Sequence, residues 1–142
     1  MGSDVLVDSN VYIDLLRAKR DAVADLHDWA AGRERNLAIC GIIRVEVLRG
    51  LRCLKAFRSI SEIMDVMINI PSDNRLWSDA ADLAWSLDRQ GIVIPGADAV
   101  IAASAIRLGA AVMTSDAHFS KIDGLRVIAP PAHWFQQKSG PH

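Results

Sequence analysis

Apolar positions come in two periods along this chain. Val5, Leu6 and Val7 form a short unbroken run that ends on Asp8, and a helical period begins at once, with Tyr12, Leu15 and Leu16 spaced by three and four. An unbroken apolar run of this length reads as a buried parallel strand. Ser9 is a good N-cap for the helix expected over residues 9–19. Residues 21–31 read as a second helix, with Val23, Leu26 and Ala30 on one face and Gly32 as its stop. A polar loop over 33–36 leads into a second strand at 37–40. Gly41 follows, and a helix starts near Ile42 or Ile43, with Val45, Leu48 and the stem of Arg52 on one face and an interruption at Gly50.

Residues 54–67 form an amphipathic helix whose stripe is Phe57, Ile60, Ile63, Met64 and Met67, broken by Asn69-Ile70-Pro71. Ser72 or Asp73 caps a long helix to residue 89 or 90, striped by Leu76, Ala80, Leu83 and Leu87. Trp77 and Trp85 share a neighbouring face and read as helix packing or a subunit interface. Residues 92–94 read as a third strand or an extended lead-in, followed by a Pro95-Gly96 turn and an alanine-rich helix over 97–108. Ala111–Met113 is the fourth strand and 127–129 the last, with a short turn or helix at Ala117-His118-Phe119 between them.

This alternation predicts an α/β fold: an open, mainly parallel twisted sheet with helices on both faces, a Rossmann-like three-layer sandwich. One domain is expected over residues 4–135, with a loose tail from Gln136 to His142. Composition agrees, since 51% hydrophobic and 23% charged residues across 142 positions support a folded core. The apolar runs are too short to span a bilayer, and Met1-Gly2-Ser3-Asp4 lacks the basic region of a signal peptide. Cys40 and Cys53 have no metal-binding spacing and read as reduced, buried thiols of a cytoplasmic protein. With 16 basic and 17 acidic side chains the chain has no global attraction to nucleic acid, so any such substrate needs a local basic rim or a partner's help.

Four acids occupy comparable places in this pattern. Asp8 and Asp116 follow apolar strands, Glu46 lies in the first turns after the second strand, and Asp98 lies in the first turn of the alanine-rich helix. The chemistry of open α/β sheets sits at the carboxyl ends of strands. Carboxylates gathered there raise one another's pKa, and a hard divalent cation removes that penalty. Metal-assisted phosphodiester hydrolysis is the natural chemistry. The other reading is a set of helix caps at favourable N-termini. His27, His118, His133 and His142 are scattered without zinc spacing, and no histidine is placed to serve Ser9, Thr114 or Ser115 as a hydrolase base.

The stretch Val7-Asp8-Ser9-Asn10-Val11-Tyr12-Ile13-Asp14-Leu15-Leu16 resembles the opening of PIN-domain ribonucleases, specifically VapC-like toxins of type II toxin–antitoxin systems. Glu46-Val47-Leu48-Arg49-Gly50, Asp98-Ala99-Val100-Ile101-Ala102-Ala103-Ser104-Ala105 and Thr114-Ser115-Asp116-Ala117-His118-Phe119 resemble the family's later motifs in order. The resemblance implies a metal-dependent endoribonuclease with Asp8, Glu46, Asp98 and Asp116 holding Mg²⁺ or Mn²⁺. Ser9, Asn10, Thr114 and Ser115 would support those acids or a water. A metal-bound water would cut RNA to leave a 5′-phosphate and a 3′-hydroxyl. One departure is Gly41, where the family commonly has a small hydroxyl residue; another is the lack of a hydroxyl residue just before Glu46.

The resemblance further implies a small antitoxin partner and a homodimer; Phe57, Ile60, Met64, Met67, Trp77 and Trp85 are candidate interface positions, which packing within the chain explains as well. Arg17, Arg44 and Arg49 are the leading RNA-contact positions, with Lys19, Arg20, Arg52, Lys55 and Arg58 nearby in the sequence; ordinary solvation of helix faces also explains each. Competing classes are a non-catalytic PIN-like interaction module and a structure-specific DNA nuclease using the same acids. An aspartate-nucleophile phosphatase wants an acid two residues after Asp8, where Asn10 stands.

Overall fold

The computed structural model describes residues 3–136. Residues 137–142, most of the expected tail, lie outside the described residues. In chain order the elements are β1 (Asp4–Val7), α1 (Ser9–Arg17), α2 (Ala22–Ala31), β2 (Asn36–Cys40), α3 (Gly41–Leu48), α4 (Leu54–Val66), β3 (Ile68–Ile70), α5 (Asn74–Arg89), α6 (Gly96–Leu108), β4 (Ala111–Met113) and β5 (Val127–Ile128). A 3₁₀ turn, Ala117–Lys121, joins β4 to β5, and a second, Ala132–Trp134, follows.

The five strands form one sheet in the order β3-β2-β1-β4-β5, and every neighbouring pair is parallel. The apolar run Val5-Leu6-Val7 makes β1 the central strand. Leu6 pairs with Ala38 on one side and Val112 on the other, and Val5, Leu6 and Val7 are all fully buried. The chain moves outward from β1 to β2 and β3, then crosses back to β4 and β5. Right-handed crossovers in opposite directions put their helices on opposite faces of the sheet.

Local chemistry sets the helix ends. Asp8, rather than Ser9, is the N-cap of α1. Asp21 caps α2 through a 3.1 Å bond from Ala24 N, and Asp73 caps α5 through a 3.0 Å bond from Leu76 N. Gly109 ends α6 with φ of 73°, a left-handed conformation that only glycine adopts cheaply. Along α6, Ala99 to Ala105 are buried without interruption. Small side chains let this helix press against the sheet, and α5 packs along it. Ser104 is reconciled with full burial by donating to Val100 O at 2.7 Å. Arg107 ties the end of α6 to the start of α5 through two bonds to Asp73, at 2.6 and 2.8 Å.

Several expectations are corrected. The third strand is Ile68–Ile70, and residues 92–94 are the extended lead-in of the two readings, not a strand. After α4 the backbone turns extended at Met67, and Asn69 Nδ2 takes up freed carbonyls, bonding Met67 O at 2.9 Å and Met64 O at 3.2 Å. This edge strand buries only Ile70, so it has almost no apolar signature. Residues 92–94 run as unpaired chain, with Ile94 buried and Val93 78% exposed. On α3 the buried residues are Ile43, Val47 and Leu48, while Val45 faces outward. Cys40 is buried but Cys53 is exposed. Trp77 and Trp85 are not core residues, at 49% and 61% exposure, and Arg89 lies over the Trp85 ring at 4.8 Å. Of the candidate interface positions, Ile60 and Met64 are buried within the chain, which is the packing alternative. Among the described residues no helix is long and apolar enough to cross a membrane.

Candidate functional site

Because β1 and β4 are paired in parallel, their carboxyl ends emerge side by side. Val7 pairs with Met113, and Asp8 N donates to Met113 O at 2.9 Å. This sets Asp8 beside Thr114, and Thr114 Oγ1 donates to Asp8 Oδ2 at 2.8 Å. The same hydroxyl oxygen accepts from Asn10 Nδ2 at 3.1 Å and from Asp116 N at 3.0 Å. Thr114 therefore links the end of β1, the first turn of α1 and the loop after β4.

The other oxygen of Asp8, Oδ1, accepts from Ser9 N at 2.8 Å, which is the cap of α1. Ser9 Oγ sits 3.4 Å from Asp8 Oδ1 and 3.4 Å from Glu46 Oε1. It has one proton for two acceptors, so it bridges the two acids weakly. Glu46 reaches this point from α3, which packs on α1.

Asp98 enters from the first turn of α6 and Asp116 from the loop after β4. Asp116 caps the following 3₁₀ turn, where its Oδ1 accepts from His118 N at 2.9 Å. The ring of His118 then lies between two carboxylates: Nδ1 is 3.1 Å from Asp98 Oδ2 and 3.1 Å from Asp116 Oδ1. Asp98, Asp116 and His118 each offer a donor atom within 4.8 Å of the other two.

Electrostatics couples the two halves. Burial pushes the Asp8 carboxyl above its ordinary pKa; the bonds from Thr114 and Ser9 N oppose that push, and the charges of Asp98 and Glu46 reinforce it. Burial also raises Asp98; the His118 bond works against it and the Asp116 charge with it. These acids therefore feel one another's charge at the carboxyl edge of the sheet. The ion pairs of Arg20, Arg44 and Arg107 are made elsewhere, with Asp25, Asp65 and Asp73.

The donor set fits a divalent cation. It is rich in carboxylate oxygens, two of its acids are raised by burial and mutual charge, and the side-chain Oδ1 of Asn10 is buried with no hydrogen-bond partner. Capping and site chemistry are not exclusive here. Asp8 caps α1 with one oxygen and meets Thr114 with the other, and Asp116 caps with an oxygen that also faces His118.

Of the other expected residues, Ser9, Asn10 and Thr114 join this network, whereas Ser115 is exposed and takes part in none of these bonds. Arg44 holds Asp65 at 3.0 Å and Asn69 at 3.3 Å, bracing α3 against α4 and β3. Arg49 is exposed at the end of α3. Arg17 is exposed in the last turn of α1, on the order of 12 Å along the helix from Ser9. The sequence reading missed His118. It stands alone among the histidines, and its partner Asp98 is 20 residues upstream; the weak signal was its position two residues after Asp116.

Fold and site define a class: an open, all-parallel α/β domain with acids at the carboxyl edge of its central strands. The chain belongs to the PIN-domain family, whose sequence model matches residues 5–125. Solved structures share the fold. VapBC from Salmonella typhimurium, bound to DNA, is 19% identical with a TM-score of 0.71, covering 91% of this chain and 98% of that one. VapBC2 from Rickettsia felis, bound to a DNA fragment from its promoter, is 19% identical with a TM-score of 0.70, covering 89% and 98%. A toxin–antitoxin complex from Klebsiella pneumoniae is 26% identical with a TM-score of 0.60, covering 87% and 95%. No curated protein sequence matches the chain significantly.

Proposed function

We propose that this protein is a divalent-metal-dependent endoribonuclease and the toxin of a toxin–antitoxin pair. The observation that carries the reading is the convergence of Asp8, Glu46, Asp98 and Asp116, linked through Ser9, Thr114 and His118, at the carboxyl edge of β1 and β4. The family match and the structural similarity to two VapBC assemblies and a toxin–antitoxin complex support the biological role.

The four acids would hold Mg²⁺ or Mn²⁺. When bound, such an ion supplies an activated water and neutralises charge developing on the phosphate. The chain's own contribution is placement. Thr114 and Ser9 N fix both oxygens of Asp8, so its carboxylate meets the ion without a rotamer search. Ser9 Oγ steadies Glu46, whose longer side chain needs it most. Asn10 holds Thr114 through its Nδ2, while its own Oδ1 is buried without a hydrogen-bond partner. Arg49 is the exposed cation of α3 available to a phosphate, whereas Arg44 is engaged with Asp65 and Arg17 lies at the far end of α1.

A small antitoxin neutralises the enzyme in this reading, and exposed Phe57, Trp77 and Trp85 supply surfaces for it or for a homodimer. The experiment is cleavage of a mixed RNA pool by antitoxin-free protein with Mn²⁺ or Mg²⁺. Wild type cuts, while Asp8→Asn and Asp98→Asn lose at least about 100-fold. Equal activity in the variants sinks the mechanism. Cutting of DNA alone moves the assignment to a DNA nuclease, and absence of metal binding moves it to a non-catalytic interaction module.

A further inference from the structure

Among the described residues, His118 is the basic side chain that stands between two of the site's acids. Its ring nitrogen Nδ1 is 3.1 Å from an oxygen of Asp98 and 3.1 Å from an oxygen of Asp116. Two independent features set this geometry. Asp116 and His118 are locked together by the 3₁₀ turn, through the 2.9 Å bond from His118 N to Asp116 Oδ1. Asp98 is delivered separately by α6, which packs against that turn. The three donors thus come from the first turn of α6, from the 3₁₀ turn and from the residue that caps that turn.

Nδ1 of His118 stands at hydrogen-bond distance from both carboxylates, and the donor atoms of the three residues all lie within 4.8 Å of one another. A divalent cation set among them would exchange those hydrogen bonds for bonds to the ion. Asp8 and Glu46, by contrast, supply oxygen only. Carboxylate and water suit Mg²⁺ and Mn²⁺ alike, whereas imidazole is taken up more readily by transition ions than by Mg²⁺, Mn²⁺ being the weakest binder among them.

We propose that His118 is itself a ligand of the divalent ion, beside Asp98 and Asp116, and that its nitrogen biases this centre towards Mn²⁺ over Mg²⁺. The inference rests on the metal-dependent reading above. It makes His118 a metal ligand contributed by this chain's own 3₁₀ turn, in addition to the four acids.

The test is pulsed electron paramagnetic resonance on full-length protein loaded with one equivalent of Mn²⁺. Wild type shows a ¹⁴N coupling of a directly bound imidazole, and His118→Ala lacks it. In parallel titrations His118→Ala weakens Mn²⁺ binding about tenfold and Mg²⁺ binding less than about twofold. The side chain is 43% exposed, so the variant is expected to fold, and an unchanged circular dichroism spectrum checks this. Bound Mn²⁺ without ¹⁴N coupling in the wild type overturns the inference while leaving the nuclease reading intact. Equal weakening of both ions overturns the selectivity. Failure of wild type to bind Mn²⁺ at all overturns both readings.

Discussion

Thr114 and Asp8 are 106 residues apart in sequence, yet the threonine hydroxyl donates to the aspartate carboxylate at 2.8 Å within the protein interior. The same oxygen accepts from Asn10 and from Asp116 N, so one side chain satisfies three buried or half-buried groups. Thr114→Val removes all three bonds at nearly constant volume. The metal-free protein should lose about 1–3 kcal/mol in urea denaturation, and Thr114→Ser should recover most of it. An unchanged midpoint in the valine variant would show that this network adds no net stability.

The pH dependence of the metal-free protein should carry the imprint of its raised acids. Burial lifts the folded-state pKa of Asp8 and Asp98 above the ordinary 3.8. The folded state therefore binds their protons first as pH falls. Their contribution is fully present below 3.8 and is lost as pH rises through the raised folded values. Asp98→Asn removes one titration while losing only the His118 contact. Relative to wild type, its stability should improve as pH rises through that window. A difference that stays flat with pH would contradict the assigned burial effect. Asp8→Asn is a poorer probe, because an amide would present donors to Thr114, which already accepts two bonds.

Gly41 stands where a hydroxyl residue is common in the family. It opens α3 without a left-handed backbone, and an added Cβ would meet only Ser72 Oγ, at an ordinary 3.5 Å. Gly41→Ala should stabilise the protein by about 0.4–1 kcal/mol by restricting the unfolded chain, read as a rise in the denaturation midpoint. Loss of stability would mean that the start of α3 needs backbone freedom absent from its present conformation.

The basic residues should separate by position. Arg49→Ala, at the exposed end of α3, should weaken RNA binding and flatten its dependence on salt, whereas Arg17→Ala should change affinity less than about twofold. Arg44→Ala should act chiefly on stability, since its guanidinium is engaged with Asp65 and Asn69. Filter-binding assays across a salt series distinguish these outcomes, and an equal loss from Arg17→Ala and Arg49→Ala would remove the assigned distinction.

The chain's own pattern determined the class of fold and the positions of its acids. Val5-Leu6-Val7 and Ala111-Val112-Met113 are unbroken apolar runs because both faces of their strands are covered, and each is followed closely by chemistry-bearing residues. Other features were decided only by the folded chain. Ile68–Ile70 pairs at the sheet edge with one buried residue, so hydrophobic periodicity had little to report. Trp77 and Trp85 lie on a helical stripe that faces outward, and side-chain type alone does not say which stripe another helix covers. The choice of Thr114 over Ser115 as the partner of Asp8 follows from strand register, which alternates side-chain direction residue by residue. The contact of His118 with Asp98 arises because β4 and its turn return beside the start of α6. Local order along the chain sets which groups are available; packing between distant segments sets which of them meet.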